Sequence, residues 1–334
     1  MKNGTSVRVV EYDDSKAEEW RSFVQSSSNG TMFHYMEFLD YHPPGRFSFR
    51  HLMFLEGNRL TAVIPGACEG GVYSSPAGAS MGGFVTPPQL GLGRANGIVR
   101  AFIGYCREHG ITSVNLTPPM NIYRDSCDMA MEYALCYNGF TVSRMQYSSV
   151  SMPSESSLSR KVAYNIRLAK RKGVEILEEN DFDLFYPILL ENKAKFGVPP
   201  THTLEELKLI DKLMPGYLKL FLAMLDGEAI AGSLLFLANA NCAMNFYTMH
   251  RYEYRKLYPV SLLVKHTSNW LAERGFRYFD YGVSMDTASE NPMEPSWSLV
   301  RFKESLGFQG CIRYSWSLAL QAPADTFRTL SPTE

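Results

Sequence analysis

Three glycine-marked features recur along this chain at a nearly constant distance, and that recurrence limits the fold more than anything else in the sequence. Gly57 separates the apolar runs 49–55 and 60–68, and Gly227 separates 217–225 and 229–237. One helical pattern closes on Glu108-His109-Gly110 and another on Glu273-Arg274-Gly275; Asn138-Gly139-Phe140 is answered by Leu306-Gly307-Phe308. The glycine pairs are displaced by 170, 165 and 168 residues, a period of domain size rather than solenoid size. A length of 334 residues also suits two cores better than one. Two copies of one unit are therefore expected, at 1–150 and 151–334, with the polar stretch 151–159 as the boundary.

Periodicity gives each unit the same plan: a helical lead-in, an antiparallel meander, a crossover helix and a last strand. In the first half this predicts a strand at 7–12, helices at 16–26 and 33–41, the hairpin about Gly57, a helix at 97–109, a strand at 113–116, a helix at 130–137 and strands over 140–150. In the second it predicts a basic helix at 157–172, a strand at 174–177, helices at 181–195 and 204–213, strands at 217–225, 229–237 and 243–249, a helix at 259–274, a strand at 278–282 and a short helix stopped by Gly307. The fold class is α/β (α+β): two tandem units, each a mixed, largely antiparallel sheet flanked by helices. Residues 73–88 read as an irregular glycine-rich loop. Within it Gly78-Ala79-Ser80-Met81-Gly82 matches a nucleophile elbow, but that motif needs a helix at once after the serine, and Pro87-Pro88 follow instead.

A net charge of −1 provides no global field for gathering DNA or an anionic membrane, so an anionic partner has to meet a local basic patch. The six cysteines form no Cys-x-x-Cys pair and the seven histidines are dispersed, which predicts reduced thiols and no structural metal. No apolar run has the length of a signal segment or a membrane span, and a soluble cytoplasmic protein is expected.

The residues resemble the FemABX-type tandem-GNAT transferases and the related BioF2-like acyltransferase domain. The marks are Tyr164-Asn165-Ile166-Arg167-Leu168-Ala169-Lys170-Arg171-Lys172-Gly173-Val174, Asp226-Gly227-Glu228 before Ala231-Gly232, Tyr258-Pro259 before a helix, Gly275 to Gly282, and Phe302-Lys303-Glu304-Ser305-Leu306-Gly307, with Ser75-Pro76 and Gly82-Gly83 in the first half. The resemblance covers nearly the whole chain. It implies the GNAT acyltransferase fold and transfer of an acyl group to an amine, the donor an aminoacyl-tRNA and the acceptor a cell-wall precursor in the best-known members, or an acyl thioester donor in other relatives. It also implies that Lys303 stabilises the oxyanion, that Tyr247 lines the acceptor channel and that Lys193 loosely matches a charged acceptor element. The chain differs in having Val283 where many relatives have arginine, no matching lysine over 38–42 and no coiled-coil arm.

An amine attacking an ester or thioester passes through a tetrahedral oxyanion, so the site needs a donor to that oxygen and a route for the amine proton. Lys303 is the candidate for the first role, with a solvated helix lysine as the bland alternative; Asp280 is the candidate for positioning or deprotonating the amine, or else caps the loop after its strand. Tyr247, Tyr258, Phe302, Lys193, Asn165 and Arg167 are candidate substrate contacts, with core packing or a solvated helix face as their alternatives. Arg160, Lys161, Arg171 and Arg255 are candidate contacts to the phosphates of tRNA, a nucleotide-linked acceptor or coenzyme A, against the alternative of a solvated face. No permanently bound cofactor is expected; the acyl donor, aminoacyl-tRNA or acyl-CoA, is a co-substrate. The pyrophosphate loop of coenzyme A enzymes has no glycines at 255–260, and the nearest pattern, Gln89-Leu90-Gly91-Leu92-Gly93-Arg94, is off by one in spacing. A non-catalytic binding scaffold on the same fold is the remaining alternative, and the amine acceptor and oligomeric state are left open.

Overall fold

The computed structural model describes residues 6–155, 158–195 and 197–320. Both chain ends and Ser157, near the expected start of the basic helix, lie outside the described residues.

In the first half, β1 (Val7–Glu11), α1 (Ala17–Ser26) and α2 (Met36–Leu39) lead to the hairpin β2 (Leu52–Glu56) and β3 (Arg59–Ile64). Then come β4 (Ala67–Glu69), β5 (Val72–Ser75), α3 (Leu92–Glu108), β6 (Ser113–Leu116), α4 (Ala130–Tyr137) and β7 (Thr141–Ser151). The second half contains α5 (Arg160–Arg171), β8 (Glu175–Glu178), α6 (Phe182–Ala194), α7 (Leu204–Leu213), β9 (Leu218–Leu225), β10 (Glu228–Leu237) and β11 (Cys242–His250). It ends with α8 (Pro259–Glu273), β12 (Tyr278–Val283), α9 (Trp297–Ser305) and β13 (Gln309–Ala319).

Strands β1, β2 and β3 form a small antiparallel sheet, and the other ten form a mixed sheet in the order β4-β5-β6-β13-β7-β12-β11-β10-β9-β8. Its centre is an exchange of strands. β7, the last strand of the first half, pairs with β12 of the second, while β13, the last of the second, pairs with β6 and β7. A single sheet thus runs through both halves. One apolar core is shared as well, joining Trp20, Phe33 and Phe38 to Phe185, Phe236 and Tyr247.

The helices that flank the site have legible causes. In α5, the Ser159 hydroxyl accepts from the Val162 N–H at the start (3.3 Å), and Gly173 adopts φ +83° just past the end, a conformation that suits glycine. Its apolar stripe, Val162, Ile166 and Ala169, is buried against α8, which leaves the cations outside. Helix α8 opens on Pro259, whose fixed φ and missing N–H fit the first helical position; it buries Leu262, Leu263 and Leu271.

Four expectations need correction. The helix expected over 33–41 is a turn of 3-10 helix at Met32–His34 followed by α2, because Tyr35 is extended (φ −80°, ψ 140°). The stretch 73–88 is not wholly irregular, since Val72–Ser75 pairs in parallel with β6. The first meander divides: β2 and β3 pair with β1 rather than joining the large sheet. The chain after Phe308, for which no strand was expected, forms the eleven-residue β13.

Candidate functional site

The candidate site centres on Asp280 and Lys303, where two parallel strands part. β11 and β12 pair only over Cys242–Met244 against Tyr278–Asp280. β11 then continues beside β10 to His250, and β12 turns to β7. The end of β12 meets α9 there, through the bonds of Lys303 to Gly282 and Val283.

Asp280 ends the paired segment, 3% exposed. Its Oδ2 accepts from the Tyr123 hydroxyl (2.7 Å), and its Oδ1 accepts from the Ser148 hydroxyl (2.9 Å) and the Gly282 N–H (2.8 Å). Tyr123 and Ser148 belong to the first half, so both halves hold this carboxylate. The Gly282 bond needs a chain reversal with φ +78°, which only glycine adopts without strain. The same reversal turns the Gly282 carbonyl toward Lys303.

Lys303 is buried, 3% exposed, in the last turn of α9. Its Nζ donates to the carbonyls of Gly282 (2.7 Å) and Val283 (3.1 Å) and sits 5.7 Å from the centre of the Tyr281 ring. An ammonium has three donors; two are used here and one remains. Burial lowers its pKa from 10.5 to about 8, with the Asp280 charge acting in the opposite direction. The group therefore stays largely cationic at neutral pH yet lies near its titration point. A positive donor held in a water-poor site suits an oxyanion.

The remaining candidates fall into separate groups. Phe302 is exposed on α9 beside Lys303. Tyr247, on β11, is buried, and its hydroxyl accepts from the N–H groups of Thr201 (3.1 Å) and His202 (3.3 Å). Lys193 Nζ lies 6.0 Å from the centre of the Tyr247 ring. Tyr247→Phe is expected to destabilise the protein by about 1–3 kcal/mol, because both N–H groups lose an acceptor; a urea titration reads the change.

Beside the 201–202 segment is a cavity of about 240 Å³ lined from both halves by Phe38, Tyr41, His42 and Arg46 and by His202 and Phe246. The sequence did not single out His42, His202 or Arg46. His42 Nε2 meets the Gly78 carbonyl (2.7 Å) while, among the described residues, its buried Nδ1 has no partner; Arg46 is paired with Glu206 (3.2 Å). Ser80 also lines this cavity, and its carbonyl accepts from Arg313 of β13. No helix follows Ser80, as its proline-containing sequence context predicts.

A third group is a basic face. Asn165 is buried on α5, whereas Arg160, Lys161, Arg167, Lys170, Arg171 and Lys172 are exposed. Helix α5 packs against α8 and the turn Tyr252–Leu257. In that turn Arg255 is exposed and its guanidinium stacks 3.9 Å from the centre of the Tyr252 ring. Among the described residues, none of the six exposed cations of this helix region, nor Arg255, pairs with a carboxylate. Tyr258 follows in a left-handed conformation (φ 55°, ψ 42°) and forms the N-terminal boundary of α8. The Gly91–Arg94 pattern instead opens α3, where Gly93 and Arg94 line a cavity of about 740 Å³.

Among the described residues, no group of three His, Cys, Asp or Glu side chains is placed to hold a metal ion, and no helix is long and apolar enough to cross a membrane. A family model described as an acetyltransferase (GNAT) domain matches residues 156–290. No curated protein gives a significant match. Among solved structures, FemX is similar with a TM-score of 0.68 at 13% identity, covering 94% of this chain and 97% of that chain. The C-terminal domain of a putative lysylphosphatidylglycerol synthetase from Agrobacterium fabrum has a TM-score of 0.59 at 12% identity, covering 91% of each chain. A tandem GNAT protein from the clavulanic acid biosynthesis pathway has a TM-score of 0.53 at 14% identity, covering 96% of this chain and 100% of that one. At these identities the likeness is one of fold.

Proposed function

We propose that this protein joins an acyl group to an amine as an amide, that Lys303 holds the charge that develops on the acyl oxygen, and that the donor is an aminoacyl-tRNA. The observation that carries the reading is Lys303 itself, a buried cation with one free donor at the parting of β11 and β12. Tyr247, whose hydroxyl holds the 201–202 segment, is the residue we propose to line the acceptor channel. A cell-wall precursor peptide is the acceptor class that the resemblance to the FemABX-type transferases implies.

The tRNA part of the proposal rests on the exposed basic face of α5 with Arg255. A face of unpaired cations binds phosphate with release of counterions, so affinity falls as salt rises. Exchanging Arg160, Arg171 and Arg255 for glutamine is expected to weaken tRNA binding and to reduce the slope of log K against log salt by roughly 0.7 to 0.9 for each phosphate that is no longer neutralised. Fluorescence anisotropy with labelled tRNA measures both. An unchanged slope would remove this face from the account.

A second reading has the same chemistry with an acyl-CoA or carrier-protein thioester as donor. The match of residues 156–290 to an acetyltransferase (GNAT) domain favours it. A thermal shift with acetyl-CoA and none with aminoacyl-tRNA would select this reading over the first.

A further inference from the structure

Among the described residues, the Tyr281 hydroxyl makes no hydrogen bond of normal geometry. Tyr281 is the residue of β12 just past its last pair with β11. Its ring packs against Phe279 and Phe308, with centroids 5.6 and 4.7 Å away. The residue is only 6% exposed, and among the described residues its Oη makes no hydrogen bond of normal geometry. Its polar neighbour is the Thr248 hydroxyl of β11, which gives its own hydrogen to Asn245 Oδ1 (2.7 Å) and offers the Tyr281 oxygen only a weak contact outside normal hydrogen-bond geometry. The Ser233 hydroxyl donates to the same Asn245 oxygen (2.9 Å), so polar groups of β10 and β11 gather near the parting.

Buried hydroxyls are rarely left unmatched, and an exception calls for a cause. A phenylalanine would pack in the same aromatic cluster without that penalty. The location identifies a cause: Lys303 Nζ is 5.7 Å from the centre of the Tyr281 ring, and its two acceptors are the carbonyls of the next two residues, Gly282 and Val283. Tyrosine, glycine and valine thus occupy consecutive positions around one ammonium.

We propose that Tyr281 is a catalytic residue of the transfer, its hydroxyl donating to the acyl oxygen of the donor substrate and sharing with Lys303 the charge that forms there. This rests on the function proposed above. The amine lone pair forms the new C–N bond while the carbonyl π pair moves onto oxygen, where the Lys303 N–H and Tyr281 O–H hold it. The pair then returns to re-form the carbonyl as the bond to the carrier's oxygen or sulfur breaks. The carrier leaves with that bonding pair and takes up the proton lost by the amine, and Tyr281 keeps its own. Burial raises the phenol pKa well above its ordinary value, so the hydroxyl remains a donor throughout.

Tyr281→Phe tests this with two readouts. Thermal melting without substrate is expected to show a midpoint equal to or above that of the parent, because the hydroxyl makes no well-formed hydrogen bond in the free protein. Steady-state amide formation is expected to fall about 100-fold in kcat, the usual scale for losing one oxyanion donor, with KM for the acyl donor near the parent value. A clearly lower melting midpoint would show that the hydroxyl supports the fold and would overturn the proposal, as would transfer at the parent rate. If the parent protein forms amide with no donor, the functional reading itself fails and this role fails with it. An active parent beside an equally active Tyr281→Phe removes only Tyr281.

Discussion

Replacing Lys303 with methionine is expected to yield a folded protein whose amide-forming kcat is lower by about 10²- to 10³-fold, the scale for removing an oxyanion donor. Methionine keeps much of the apolar volume and removes the charge. The pH dependence separates this role from that of a base. If the ammonium is the working form, the Lys303 contribution to kcat/KM declines as pH rises through about 8, its native pKa. A base would lose activity in the opposite direction, as pH falls.

The stability of the same pair of proteins carries an independent sign. Lys303 titrates near 10.5 in the unfolded chain and near 8 in the native one. Below pH 8 both states carry the proton, and the native state bears the full desolvation penalty. Between 8 and 10.5 the unfolded chain binds more protons, so native stability rises with pH by about 3 kcal/mol across that window. The parent is therefore expected to gain on Lys303→Met as pH rises through this range, measured as the difference between their denaturant midpoints.

The second large effect is expected at Asp280. Asp280→Asn leaves one acceptor oxygen where two oxygens receive Tyr123, Ser148 and the Gly282 N–H, and it turns an N–H₂ toward hydroxyl donors. Breaking such a buried, charge-assisted arrangement is expected to destabilise by about 3 kcal/mol. It also removes the charge that raises the Lys303 pKa. The decline of kcat/KM therefore moves to lower pH than in the parent. A variant that is less stable but shows the parent pH profile would confine Asp280 to the fold.

Much of this is legible in the sequence. Helices α4 and α7 and strand β6 have the limits that periodicity predicts, because each has a closed apolar pattern and clear stops. The fold class follows from the repeat, and the mixed sheet with flanking helices agrees with it. What local pattern cannot carry is pairing across the repeat. β13 finds its neighbours in β6 and β7, and the two hydroxyl donors to Asp280 come from Tyr123 and Ser148. Helical spacing puts Lys303 on the face of Val300 and Leu306, both buried, but a lysine at such a position ordinarily reaches its ammonium out to water, so burial of the charge itself has no sequence signal. The Tyr281 hydroxyl had no signal in sequence, because a tyrosine in an aromatic strand reads as core. Tyr247 is core by burial, but its hydroxyl also holds the 201–202 segment beside the shared cavity.

The central claim is that a buried ammonium at the parting of β11 and β12 drives amide formation. Its most direct test is mass spectrometry of products from the parent protein and Lys303→Met, each offered aminoacyl-tRNA and acyl-CoA with a panel of primary amines and cell-wall precursor peptides. The account predicts a new amide with the parent and about 1% of it or less, at equal time and protein, with the variant. Equal yields from the two proteins, or no amide from the parent with any donor, would contradict it.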